Sequence, residues 1–217
     1  MTWDADAVRR RSRAELAKYG IEVAARLPLL FEPDELARLR PAEDAIARAV
    51  ALYAVIAVRE GTPADMARES LEERGLTGWL SERERGFIAQ PVDEGELVEM
   101  SWRIEALAAL AWALGLVEEL PLEGAEGVPA EVFAPIDPDG SRGARDRDVR
   151  LRPVEQLADR LDLFYCAHWA ARQQQLTGHF DPWPAQLVPD AIQERRHGLE
   201  WLFAERDLDW EEVDLST

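Results

Sequence analysis

The sequence predicts a mostly all-α protein: a single globular multi-helix domain around one buried central helix, with minor or no strand content. Three observations carry that expectation. Apolar residues recur at helical 3-4 spacing in several long segments, best at Leu97, Met100, Ile104, Leu107, Ala111 and Leu114. Pro, Ser or Asp stands before these segments and Gly often after them, as helix starts and stops require. No convincing run of residues alternates apolar and polar as a half-buried strand would. The length of 217 residues suits one large domain, and a hydrophobic content of 47% can fill a core.

Taken in order, Asp4 or Asp6 can cap a first helix that runs to about Tyr19 and stops at Gly20. Its basic run, Arg9, Arg10, Arg11 and Arg13, reads as a solvated face. A brief helical turn is expected at 33–39. Pro41 opens a second helix, Ala42 to Glu60, with Ile46, Ala49, Val50, Tyr53, Ile56 and Ala57 as its core stripe and Gly61 as its end. Pro63 opens a surface helix to Arg74. Ser81, with Glu84 completing a capping box, starts a short helix that ends before Pro91.

The central helix follows from about Glu94, with Glu99–Leu120 as its organising stretch. From Ala106 to Val117 it carries no charge, yet it is too short to cross a bilayer, which needs about 20 apolar residues. A second line, Trp102, Glu105, Ala109 and Trp112, requires partners on two sides of the helix. Gly115 and Pro121 mark its end. A turn at 130–133 and a mobile loop at 137–150 lead to Pro153, which opens a long helix to about Leu176. There Val154, Leu157, Leu161, Phe164, His168 and Ala171 share a face. Gly178 to Pro184 is a loop with an aromatic plug. Pro189 opens the last helix, to about Glu205, with Ile192, Arg195 or Arg196, Leu199, Leu202 and Phe203 inward. The acidic tail at 207–217 has one large anchor, Trp210.

Net charge is −18, and most of it lies after residue 40. Such a surface repels phosphate backbones and anionic lipid, so neither nucleic acid nor a membrane is an expected partner. It serves solubility first and can attract a basic partner. Cys166 is the single cysteine, which rules out an intrachain disulfide and a CxxC zinc motif. With no apolar signal-peptide core at the N-terminus, a cytosolic setting is expected. Lys18 is the only lysine, so Schiff-base chemistry is not expected.

Three groups of residues are the candidate site. Trp102, Glu105 and Trp112 place a carboxylate among indoles, where its pKa could rise or an arginine could neutralise it. Asp162, Tyr165, His168 and Trp169 crowd the long helix beside Cys166. Arg195, Arg196, His197 and Trp201 crowd the last helix. Glu194-x-x-His197 has the spacing of a di-metal carboxylate bundle, but no second copy exists, so no metal and no cofactor are expected. An inward arginine meeting Glu105 or Asp162 is the simpler reading. Glu105, His168 and one of the two arginines are expected to lie together. No P-loop, GxGxxG, GxSxG or HExxH pattern occurs.

Three stretches together carry a resemblance. They are Trp102-Arg-Ile-Glu105 running into Leu110-Ala-Trp-Ala-Leu-Gly115, Tyr165-Cys-Ala-His168-Trp169-Ala, and Glu194-Arg-Arg-His197-Gly-Leu-Glu-Trp201-Leu. Asp209-Trp210-Glu-Glu-Val213 closes the pattern. In order and spacing the chain resembles the uncharacterised bacterial family called domain of unknown function 4272, over about Arg9 to Thr217. It departs from that pattern at Glu200, where the family has Asn, and at Ser216, where it has Asp. The resemblance implies no activity, substrate or cofactor. The expected function is therefore that of a soluble, non-enzymatic cytosolic interaction or binding protein, with a protein or small molecule as partner. The alternative is an enzyme or small-ligand binder whose pocket is lined by Trp102, Glu105, His168 and Arg195–His197. Oligomeric state is not determined by the sequence.

Overall fold

The computed structural model describes residues 4–30, 39–90, 93–124, 149–180 and 182–217. Among them there are eight α-helices and no strand. The loop expected at 137–150, up to residue 148, lies outside the described residues, as do the turns expected at 33–39 (save Leu39) and at 130–133.

Local chemistry sets most of the helix ends. Helix α1 spans Ala5–Ala17, and the Asp4 side chain accepts from the Ala7 N–H at 3.0 Å. Helix α2 spans Ala42–Arg59 and α3 spans Ala64–Glu73. Helix α4, Glu82–Ala89, starts with the capping box: Ser81 accepts from the Glu84 N–H, and Glu84 accepts from the Ser81 N–H. Helix α7 spans Val154–Thr177, and α8 spans Pro189–Trp201.

The central helix differs from its expectation by an internal break. It divides into α5, Glu94–Ser101, and α6, Arg103–Ala113. At the joint the Trp102 N–H bonds Glu99 O at 3.2 Å, a tightened turn, and the Ser101 hydroxyl takes Val98 O. Of the two expected end marks, Gly115 rather than Pro121 stops the run, because it turns left-handed, with φ 70°. Gly115 N–H then bonds Trp112 O, and Leu116 N–H bonds Ala111 O, the paired bonds of a Schellman cap. Helix α8 ends early, at Trp201 rather than near Glu205. Arg40 collects the carbonyls of Trp201, Glu205 and Arg206 there, which pulls the chain off the helical path.

The helices pack in the spatial order α2, α6, α8, α7, α1, with α3, α4 and α5 against α2. Helix α6 is buried along nearly its whole length between α2 and α8. Ala106, Ala109 and Ala113 keep its surface low, so α8 approaches closely. At Gly198 an added Cβ would stand 2.8 Å from Ala106 O and 3.2 Å from Ala109 Cβ. Glycine is required there by proximity, not by backbone angle. One core cluster runs from Leu16 to Val213, including Leu52, Leu107, Leu110, Leu161, Phe164 and Leu199. Each such side chain contributes about 1.5–3 kcal/mol on burial.

Candidate functional site

The core contains arginine. Arg9, Arg40, Arg48, Arg103, Arg195 and Arg196 are all buried. A buried guanidinium must recover its lost hydration from carboxylates, carbonyls or aromatic faces, and its planar fork suits all three. The solvated face expected for the basic run of α1 is corrected at Arg9, which faces α7.

The sequence-predicted residues divide into separate pairs. Arg195 Nε donates to Glu105 Oε2 at 2.8 Å, with side chains only 1% and 7% exposed, and Arg195 Nη1 donates to Pro121 O and Glu123 O. Asp162 is claimed by Arg9, whose Nη2 lies 2.8 Å from Oδ1, and by the Ser12 hydroxyl at 2.6 Å. Arg196 Nη1 lies 2.9 Å from His168 Nδ1 and also donates to Leu215 O, while its Nε donates to Glu200 at 2.8 Å. The Arg196 guanidinium lies over the Tyr165 ring, 4.9 Å from its centroid. Glu105 and His168 are therefore held by different arginines, so the expected three-residue cluster resolves into two. Trp112 carries two guanidiniums, of Arg152 and Arg160, at 4.9 and 5.6 Å from its ring centroid. Trp169 meets Phe180, which meets Trp183, in the aromatic plug. Trp102 sits half-buried at the α5–α6 joint.

The densest polar cluster is one that sequence reasoning missed. Arg48 forks onto Glu84 with two 2.6 Å bonds and donates to Trp79 O. Arg103 Nη1 reaches Glu194 at 3.1 Å and its Nη2 reaches Glu211 at 2.6 Å. Its Nε lies 3.2 Å from Glu84 without hydrogen-bond alignment. Trp210 is 3% exposed, stacked on His197 with ring centroids 4.3 Å apart, and Arg48 covers it at 3.9 Å. His197 Nε2 donates to Trp210 O at 2.8 Å, and Trp201 packs beside it. The C-terminal segment is thus clamped by arginines from α2 and α6. Arg48 did carry a signal: it interrupts the buried line Ala45, Leu52, Val55; of the expected α2 stripe, Ala49 and Val50 are in the core, while Ile46, Tyr53, Ile56 and Ala57 are only half-buried.

Electrostatics follow from burial. Burial would raise Glu84, but Arg48 and Arg103 hold it below the ordinary carboxylate range. Burial prevails at Glu194 and Glu200, which are raised despite Arg103 and Arg196. His168 is lowered to about 4 by burial and by Arg196; His197 is lowered to about 4 by burial and by Arg103 and Arg48. Both imidazoles are neutral at physiological pH. Glu194 faces Arg103 while His197 faces Trp210 O, so the two do not converge as a metal pair. Cys166 is raised to about 12 by burial and by Asp162, which keeps its thiol protonated.

Recesses open at the surface among the described residues. One, of about 470 Å³, lies between α1 and the start of α7 and reaches Trp112, Arg152 and Arg160. A second, of about 360 Å³, lies beside Trp79, Trp201, Trp210 and Arg40. A third, of about 400 Å³, lies beside His168, Gln193 and Leu215.

The family model described as Domain of unknown function (DUF4272) matches residues 8–213. Neither a curated protein nor a solved structure matches the chain.

Proposed function

The chain belongs to the domain of unknown function 4272 family, and we propose that it is a non-enzymatic interaction protein whose acidic outer face receives a basic partner. One observation carries this reading. Among the described residues six arginines are buried against four acidic side chains, Asp44, Glu84, Glu105 and Asp162, with Glu194 and Glu200 largely enclosed beside them. The inward charges thus largely cancel, and the net charge of −18 falls on the remaining side chains. The inward charges serve one another and the chain ends, which leaves the outer carboxylates to act on the surroundings. Such a field speeds association with a cationic partner and disfavours polyphosphate and anionic lipid.

Helix α3 is the proposed contact. Asp65, Glu69, Glu72 and Glu73 are exposed on it around Met66, which is 60% exposed. An exposed thioether on a helix with four exposed carboxylates and one exposed cation, Arg68, 3.9 Å from Glu72, suits a basic, partly apolar helix or peptide. A cytosolic setting accords with the free, buried Cys166, and among the described residues no helix is long and apolar enough to cross a membrane.

The test is titration with an arginine-rich amphipathic peptide at about 50 and 300 mM salt, across which screening changes strongly. Saturable binding that weakens with salt, and that falls at least tenfold in the variant Asp65→Lys/Glu69→Lys/Glu72→Lys, is expected. Equal binding by the variant, or no saturable binding at low salt, would overturn the proposal.

A further inference from the structure

The recess between α1 and α7 gathers three arginines in a chain that is otherwise strongly acidic. Its walls include Arg11, Arg152, Arg160, Glu15, Glu118 and Asp159. Two of the three carboxylates already have cations: Asp159 Oδ2 accepts from Arg11 at 2.6 Å, and Glu15 pairs with Lys18 at 2.5 Å. Glu118 stands exposed at the rim. Among the described residues Arg152 and Arg160 form no direct ion pair, and Arg160 feels Glu15, Glu119 and Asp159 only at longer range. Arg152 uses Nε on Trp112 O and Nη2 on Val117 O and Glu118 O. Arg160 uses Nη1 on Leu120 O. Among the described residues, no carboxylate lies within ion-pair distance of either guanidinium, and Arg152 Nη1 and Arg160 Nε and Nη2 have no acceptor.

Both guanidiniums are also fixed in place. Carbonyls of the segment after α6 hold them from one side, and the Trp112 ring lies beneath both. Two cations pressed against one indole repel each other, and burial, the largest influence, disfavours the charge on Arg160 with Arg152 adding to that effect, although Glu15, Glu119 and Asp159 favour it in part. A bound anion would relieve both costs without any side chain having to be reordered.

We propose that this recess is a binding site for a small oxyanion, a carboxylate or phosphate group, held by Arg152 Nη1 and by Nε and Nη2 of Arg160. The indole faces are occupied by the guanidiniums, so the ligand is recognised by its charged group rather than by stacking. The site is independent of the α3 contact proposed above and stands or falls separately.

The experiment is a titration of the full chain with inorganic phosphate and, separately, with succinate, at constant ionic strength set by chloride. The arginine Nε–H resonances and the thermal midpoint are both followed. The proposal predicts saturable shifts confined to Arg152 and Arg160, with a Kd of about 1 mM or tighter for at least one probe. Arg160→Gln weakens binding about tenfold or more, as loss of a charged hydrogen-bond pair does. Glu118→Gln tightens it about two- to threefold by removing a rim charge. Glu72→Gln, on α3, leaves it unchanged. Arg160→Lys, which keeps the charge, retains part of the binding and checks that loss in Arg160→Gln is not loss of fold. Phosphate binding alone or succinate binding alone identifies which oxyanion the site prefers. Linear, non-saturating shifts with both probes, or equal binding by Arg160→Gln, would overturn the proposal.

Discussion

Mild acid should destabilise this protein through two histidines. His168 and His197 are 5% and 6% exposed, and each is lowered from 6.5 to about 4 by burial and neighbouring arginines. The unfolded chain therefore binds protons at these positions more readily than the folded one. The stability each contributes is fully present above pH 6.5 and is lost as pH falls from there towards 4. At about 1.36 kcal/mol per pKa unit, each histidine costs roughly 2 kcal/mol by pH 5 and about 3 kcal/mol at the limit. Together they remove roughly 4 kcal/mol at pH 5, a large share of a typical 5–15 kcal/mol. Glu194 and Glu200 act oppositely: raised by burial, they gain protons in the folded state and offset part of the loss lower in the window. The steepest fall is therefore in the upper part, between about pH 6.5 and 5. Urea unfolding at about pH 7.5 and 5 measures it, and with a slope near 3 kcal/mol/M the midpoint should drop by roughly 1.3 M. His197→Gln should be less stable at pH 7.5 but should lose about 2 kcal/mol less on acidification. A flat profile between these pH values, or an unchanged loss in His197→Gln, would refute the reasoning.

Other outcomes are equally specific. Gly198→Ala should lose about 1–2 kcal/mol in urea unfolding, because overpacking against Ala106 O outweighs the gain in helix propensity; a more stable variant would contradict the close α6–α8 approach. Trp210→Ala should cost about 3–5 kcal/mol and expose amides after Asp207 to hydrogen exchange while α6 stays protected. Trp210→Phe should cost much less than Trp210→Ala, since the indole Nε1 is buried without an acceptor and its loss breaks no bond. Arg195→Met should cost about 3–5 kcal/mol by stranding Glu105, and adding Glu105→Leu should recover most of it, as a double-mutant cycle would show.

Elements governed by local chemistry were readable in the sequence. The capping box at Ser81–Glu84, the Gly115 stop, the proline-opened helices and the Trp210 anchor all follow from residues a few positions apart. What failed depended on residues far apart in the chain. Arg9 looked like part of a solvated run because its partner, Asp162, lies 153 residues away. Helical periodicity places residues on faces but does not say which faces meet, so Glu105 and His168 were assigned to one cluster when adjacent arginines on α8 divide them. The break at Trp102 was hidden because the apolar spacing continues unbroken from Leu97 to Leu107. Glu84 was spent, on paper, in its capping box, although a carboxylate has lone pairs enough to serve a cap and two arginines together. Arg48 shows the remaining limit: a charge inside an apolar stripe announces a buried pair but does not name the partner.

The central claim is that the buried charges are architecture and the outer carboxylates are the working surface. Glu84→Gln, measured both for unfolding free energy and for affinity to the arginine-rich peptide, tests it most directly. Neutralising Glu84 leaves Arg48 and Arg103 short of a counter-ion, so unfolding free energy should fall by about 3 kcal/mol or more. Under conditions where the variant is folded, its peptide affinity should stay within about twofold of the parent, because Glu84 is enclosed and outside the binding face. Retained stability with lost affinity would contradict the claim and make the buried cluster a site.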